Sequence, residues 1–231
     1  MLPLFDNVPT RRFSVVTVSL IAANFAVWFW ELGARDQRIG HYAFYPCALH
    51  GPCTSEAAGH VEWAESVLTS LFMHANWLHI LVNMLFLWIF GNNVEDAFGR
   101  FGYLLFYLAA GFVAAFTQAA VTIGASGVGA ASVPTIGASG AIAGVLGAYI
   151  VLLPRARVVT LLFGFLPLPL PAIVVLGLWF VYQLLDGGAS LTQPQAGGGV
   201  AFFAHVGGFL FGVLTVTALR IRAPIPAQKR R

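Results

Sequence analysis

The sequence predicts an all-α membrane protein, a bundle of six transmembrane helices with N- and C-termini cytoplasmic. Three observations predict it. The 231 residues are 58% hydrophobic and 9% charged, with a mean hydropathy of +0.81, more apolar surface than one water-solvated core of this size can bury. Six apolar runs have about the 17 to 25 residues that cross a hydrocarbon layer about 30 Å thick. The cations fall in alternate connections: Arg11, Arg12, Arg100, Arg155, Arg157, Arg220, Arg222, Lys229, Arg230 and Arg231 share one side, and Arg35 and Arg38 take the other. The positive-inside rule makes the first side cytoplasmic.

The first run spans about Phe13 to Trp30. An arginine pair before an apolar run resembles a signal peptide, but no small-x-small cleavage site occurs before Glu31, so the run reads as an uncleaved span. A long outer loop follows, with Cys47 and Cys53 six residues apart. An oxidising compartment would permit a disulfide, and two free thiols are the alternative. His41, His50 and His60 lie near, but their spacing fits no standard zinc pattern.

The remaining runs are about Val67 to Phe90, Phe101 to Ile123, Ala138 to Leu153, Leu170 to Leu185 and Val200 to Leu219. Between the fourth and fifth, Val158 to Leu168 is apolar but broken by Pro167, Pro169 and Pro171, and it reads as an interfacial or re-entrant lead into the fifth span. Residues 1–12 form a cytoplasmic tail, 13–221 one transmembrane domain and 222–231 a basic cytoplasmic tail. The net charge of +3 is accounted for by cations at helix ends, so no nucleic-acid groove is expected.

Within this frame one hydroxyl stands out. Ser139 opens the fourth span in the run Gly137-Ala138-Ser139-Gly140. At about 1.5 Å per residue, Ser139 lies about 24 Å above Arg155, and His205 lies about 22 Å above Arg220 on the sixth span. The two therefore share a level a few ångströms below the outer surface, where a polar pair is a functional hypothesis by default. Gly140 and Gly144, with Gly208 and Gly212, form smooth strips that let the two helices approach. A packing-only role for Ser139 is the plainer reading, and the matched depth of a histidine weighs against it.

A second Gly-Ala-Ser-Gly occurs at residues 124–127. Its Ser126 lies about 39 Å from Arg100, at the outer surface, and reads as loop. No Asp or Glu occurs between Asp96 and Asp186 or after Asp186, so a buried carboxylate third partner is not expected and the chemistry would be a Ser-His dyad. His79 and Asn83, at i and i+4, share a helical face at the same level. With the Ser139 backbone N–H they can donate to an oxyanion. His74 lies off that face, where it can bond loop backbone or help order the site. The glycine-rich stretch 186–199 reads as a flexible lid. No His-Glu-x-x-His motif and no intramembrane aspartate pair is present, so metal and acid proteolysis are not indicated.

These residues together resemble the rhomboid family of intramembrane serine proteases. The matches are Gly137-Ala138-Ser139-Gly140 for the nucleophile, Ala204-His205-Val206-Gly207-Gly208 for the base, and His74-Ala75-Asn76-Trp77-Leu78-His79 through Asn83 for the oxyanion region. The turn Glu95-Asp96-Ala97-Phe98-Gly99-Arg100 matches the family's cytoplasmic connection. The resemblance implies a rhomboid-like six-helix bundle with an outward-opening polar cavity. Its substrates would be transmembrane segments of other proteins, entering past the fifth helix. It implies no cofactor, and it implies Ser139 and His205 as catalytic residues, with His74, Gly137 and Gly140 supporting.

Two positions depart from the family pattern. Some members carry an aromatic one turn after the serine that stacks on the histidine, and here Ala143 stands there. Many have a Trp-Arg pair in the first outer loop, and here Trp63 precedes Ala64. The expected function is thus an intramembrane serine endopeptidase embedded in a lipid bilayer, in a bacterial plasma (inner) membrane, with its site opening to the non-cytoplasmic face. A non-catalytic membrane chaperone of the same fold is the alternative. A channel or transporter is less favoured, for want of an inverted repeat and a midplane charge.

Overall fold

The computed structural model describes residues 1–49, 53, 62–192 and 200–223, the side chains of 126–129 and 192 excepted. Chain order is β1 (Leu2–Asp6), α1 (Val15–Leu32), α2 (Arg35–Tyr42), a 3-10 turn (Pro46–Leu49), α3 (Trp63–Ser70), α4 (Trp77–Phe98), α5 (Arg100–Ala131) and α6 (Ser139–Leu152). Then come β2 (Arg157–Leu162), β3 (Leu166–Pro171), α7 (Ala172–Thr192) and α8 (Phe202–Leu219).

The six predicted spans are α1, α4, α5, α6, α7 and α8. Among the described residues, all but α6 are long and apolar enough to cross a membrane. Helix α6 has 14 residues, about 21 Å, and α4, α5, α7 and α8 pack against it. Every residue from Gly140 to Tyr149 is buried, the pattern of a helix that is apolar all round.

The glycine strips explain how α6 and α8 meet. A Cβ added at Gly208 would collide with the Gly140 carbonyl oxygen, and one at Gly212 with the Gly144 carbonyl oxygen. At Gly144 it would fall 2.5 Å from the Ala110 Cβ and 3.3 Å from the Gly208 carbonyl oxygen. The two helices therefore touch backbone to backbone, in the close packing that small residues permit between membrane helices.

Four segments differ from the sequence expectation. The second predicted span divides: residues 67–70 belong to α3, and α4 starts at Trp77 because the Asn76 side chain caps it, accepting the His79 backbone N–H at 2.9 Å. The segment 124–127, expected as loop, is helical. Helix α5 runs through it to Ala131, its alanines offsetting the glycines, and ends three residues before Pro134, beyond which a helix cannot readily continue. The expected lid is helical over 186–192, the last turns of α7, while residues 193–199 lie outside the described residues.

Of the two expectations for the apolar proline-broken segment, interfacial or re-entrant, the re-entrant one fails: the segment is a hairpin leading into α7. Strands β1, β2 and β3 form an antiparallel sheet in that order. In Leu166–Pro171 every second residue is proline, so all the missing N–H groups fall on one side of the strand. That side is the open edge, the position in a sheet where proline does no harm.

The last turns of α4 hold the N-terminal segment. Glu95, itself buried, accepts the backbone N–H groups of Val16 (3.0 Å) and Thr17 (2.8 Å) and the Thr17 hydroxyl (2.8 Å). It thereby satisfies the free donors of the α1 N-terminus. Asp96 pairs with Arg11 at 3.3 Å, and Asp6 of β1 accepts from Asn93 (2.9 Å) and Tyr149 (2.5 Å). Burial pushes the Asp6 carboxyl up, against the lowering effect of its Tyr149 and Val8 hydrogen bonds.

Candidate active site

Ser139 and His205 occupy the first turns of α6 and α8, and the backbone contact between those helices brings them together. The Ser139 hydroxyl lies 2.7 Å from His205 Nε2. On its other side, His205 Nδ1 lies 2.6 Å from the side-chain carbonyl oxygen of Gln183 on α7. A carbonyl can only accept, so the proton sits on Nδ1 and the Nε2 lone pair faces the serine hydroxyl. The Trp179 ring flanks the imidazole, with centroids 5.8 Å apart. The aromatic ring beside His205 thus comes from α7, Ala143 of α6 having none to offer.

His79 stands in the first turn of α4. The Ala75 backbone N–H donates to its Nδ1 at 3.3 Å, which leaves the proton on Nε2. That nitrogen leans over Gly137, where an added Cβ would come within 2.9 Å of His79 Nε2 and 3.7 Å of the Ser139 hydroxyl. Gly137 also has φ +124°, a backbone conformation that favours glycine. Its N–H bonds the Ser70 carbonyl at 2.9 Å, fixing the approach to α6. Gly140 meets the Ala114 Cβ, which a Cβ of its own would approach to 2.6 Å.

Asn83 is buried, and its Nδ2 has no hydrogen-bond partner among the described residues. It lines the cavity of about 850 Å³ that also holds Ser139, His205, His79, Gln118 and Trp179. A buried donor left open inside a cavity is an acceptor's binding place. A second cavity of about 880 Å³, between Asn7–Pro9 and Leu152–Ala156, is lined by neither Ser139 nor His205.

His74 is fully buried beside His79, ring centroids 5.0 Å apart. Its Nδ1 pairs with the Phe72 carbonyl at 3.2 Å, and its backbone N–H donates to the buried Glu31 carboxylate at 3.2 Å. Burial first, and then His79, push the His74 imidazole down to about 3, so it is neutral and orders the loop before α4.

The connection between α1 and α4 belongs to the same neighbourhood. Cys47 and Cys53 are joined in a disulfide, with Cα atoms 5.3 Å apart. Cys47 packs with Ala43, Tyr45 and Ala131, and the Thr135 N–H bonds the Phe44 carbonyl at 2.7 Å, tying this loop to the segment that leads into Ser139. Trp63 opens α3 and sets its ring against Phe116, centroids 5.6 Å apart. His50 and His60 lie outside the described residues, and so does the Ser126 side chain.

Sequence reasoning missed two residues here. Gln118 on α5 accepts the Ala204 backbone N–H at 3.2 Å, capping α8 just before His205. Gln183 is the other. Each is an uncharged polar side chain inside an apolar span, and that rarity was the available signal.

Residues 62–222 match the Rhomboid domain family. The chain belongs to the rhomboid family. It is similar to the presenilin-associated rhomboid-like protein, mitochondrial, of Bos taurus, 27% identical over 205 residues that cover 86% of this chain and 47% of the relative. It is also similar to Rhomboid protein 1, mitochondrial, of Saccharomyces cerevisiae, 31% identical over 158 residues, 64% of this chain and 40% of the relative. Rhomboid-like protein 11, chloroplastic, of Arabidopsis thaliana is 44% identical over 71 residues, 28% of this chain and 25% of that protein. The chain thus spans less than half the length of these relatives. It is a multi-pass rhomboid membrane protein. The expected bacterial plasma membrane draws no support from relatives whose names are mitochondrial and chloroplastic.

Proposed function

We propose that this protein is a serine endopeptidase that cleaves transmembrane segments of other proteins within the bilayer, through Ser139 and His205. The observation that carries the proposal is the 2.7 Å contact between a hydroxyl and an imidazole whose other nitrogen is already engaged. A base within hydrogen-bond reach of the proton it removes contributes about 10²- to 10⁴-fold to a rate.

In the proposed reaction the Ser139 oxygen attacks the scissile carbonyl while its proton passes to His205 Nε2. The oxyanion accepts from His79 Nε2, Asn83 Nδ2 and the Ser139 N–H, one of the free donors at the α6 N-terminus. His205 then gives its proton to the departing amide nitrogen, the C–N bond breaks, and an acyl-enzyme forms. Water attacks that ester with His205 again as base, releasing the carboxylate product and restoring Ser139.

Both termini on the cytoplasmic side, with the site opening opposite, follow from the arginine distribution. The Cys47–Cys53 disulfide beside the site agrees with an opening to an oxidising compartment. The test is cleavage of a model transmembrane substrate by purified protein in liposomes. Wild type cuts and Ser139→Ala does not. Cleavage that persists in Ser139→Ala refutes the assignment, and tight binding of the substrate without any cutting would favour the membrane-chaperone alternative.

A further inference from the structure

Serine hydrolases commonly orient the base with a carboxylate, and among the described residues no carboxylate bonds His205: the partner on its Nδ1 is Gln183 Oε1, at 2.6 Å. Gln183 is 4% exposed although it sits on α7, a helix with many exposed apolar side chains. Trp179, Phe180 and Gln183, at i, i+1 and i+4, turn one face of α7 toward α8. The Phe180 ring stacks on Phe209 with centroids 4.4 Å apart, and Trp179 reaches both Phe209 and His205. The glutamine is therefore seated by two aromatic contacts one turn below it.

We infer that Gln183 is a positioning residue: its side-chain carbonyl holds His205 in the Nδ1–H tautomer with Nε2 turned to Ser139. The kinetic part of this inference rests on the serine-protease reading above; the tautomer does not. Chemistry separates the two orientations of the amide. With the carbonyl on Nδ1, Nε2 is a base. With the NH₂ on Nδ1, the ring proton moves to Nε2 and faces the serine, which leaves no base. An uncharged partner also suits the site's depth, since it fixes the ring without burying a second charge.

The groups that face His205 are few. Helix α6 presents Ser139, α7 presents Gln183 and Trp179, and α5 reaches the neighbouring Ala204 through the neutral Gln118. Among the described residues, the other ionisable side chains that line the cavity with His205 are His79 of α4 and Arg35 of α2. A carboxylate at position 183 would then be the nearest charge, and it would favour the imidazolium.

The experiment uses wild type, Gln183→Leu, which keeps the volume and removes the acceptor, and Gln183→Glu, which keeps an acceptor and adds charge. Each is purified in detergent and checked by thermal melting. Two readouts are taken: steady-state cleavage across pH, and the ¹⁵N spectrum of histidine-labelled protein, with His205 assigned by its loss in His205→Ala.

Gln183→Leu is expected to lower kcat roughly 10- to 100-fold with KM held within about twofold, and to replace the Nδ1–H tautomer by a mixture. Gln183→Glu is expected to keep most of the rate and move the acid limb of the profile about one unit to higher pH, because the free base is then reached later. An Nε2–H tautomer in wild type, or an unchanged Nδ1–H tautomer in Gln183→Leu, overturns the inference whatever the rates. Should Gln183→Leu fail to fold, an unmoved acid limb in Gln183→Glu overturns it instead. If wild type cuts nothing while the tautomer shifts as expected, the protease reading falls and the positioning role stands.

Discussion

Replacing Gly208 with alanine should separate the dyad without touching either member. The added Cβ would collide with the Gly140 carbonyl oxygen and lie 3.1 Å from its carbon and 3.3 Å from the Gly144 nitrogen. All of these are backbone atoms, which cannot swing aside as a side chain would. Restoring ordinary contact requires α6 and α8 to part by about 1 Å, which stretches the 2.7 Å bond between Ser139 and His205 beyond hydrogen-bond reach. A misplacement of that size costs on the order of 100-fold in rate, and overpacking of this kind costs about 1 to 3 kcal/mol in stability. Cleavage in liposomes and thermal melting in detergent measure the two effects. Gly177→Ala is the control, because a Cβ there meets nothing within 4 Å. A Gly208→Ala protein that keeps the wild-type kcat would refute the claim that this backbone contact sets the dyad distance.

Three further outcomes are expected. His79→Ala and Asn83→Ala should each lower kcat about 100-fold with little change in KM, as loss of an oxyanion donor does; a loss confined to KM would assign them to substrate binding. Glu95→Ala should lower the thermal stability by about 1 to 3 kcal/mol, because it strands the Val16 and Thr17 N–H groups, and an unchanged melting temperature would contradict this. His74, at about 3 when folded against 6.5 when free, binds fewer protons folded than unfolded. Its stabilising effect is therefore complete above about pH 6.5 and is lost as the pH falls toward 3, about 2 kcal/mol of it by pH 5. Unfolding measured from pH 7 to pH 5 should show this slope in wild type and a flatter one in His74→Asn, and equal slopes would rule it out.

The reach of sequence reasoning can be traced residue by residue. Run length sufficed to locate the six apolar helices, five of them long enough to cross a membrane, because lipid imposes length directly. Counting rises from Arg155 and Arg220 put Ser139 and His205 at one level, and the two do meet, because the glycine strips set α6 and α8 backbone to backbone. The hairpin at Arg157–Pro171 was hidden because apolar residues and prolines also mark a membrane-surface lead, and only pairing with β1, about 150 residues away, distinguishes a strand. The break at 71–76 was hidden because apolar residues on both sides of it read as one run, although Asn76 is a standard capping residue. Gln183 escaped because the search for a third partner was confined to carboxylates, while a neutral amide can hold an imidazole just as directly.

The central claim is that His205 makes Ser139 nucleophilic. Purified wild type in liposomes can be treated with a fluorophosphonate, digested and mapped by mass spectrometry, with His205→Ala in parallel. The account predicts an adduct on Ser139 in wild type, formed at least about 100 times more slowly in His205→Ala. An adduct on any other residue, or equal labelling rates in the two proteins, would contradict it.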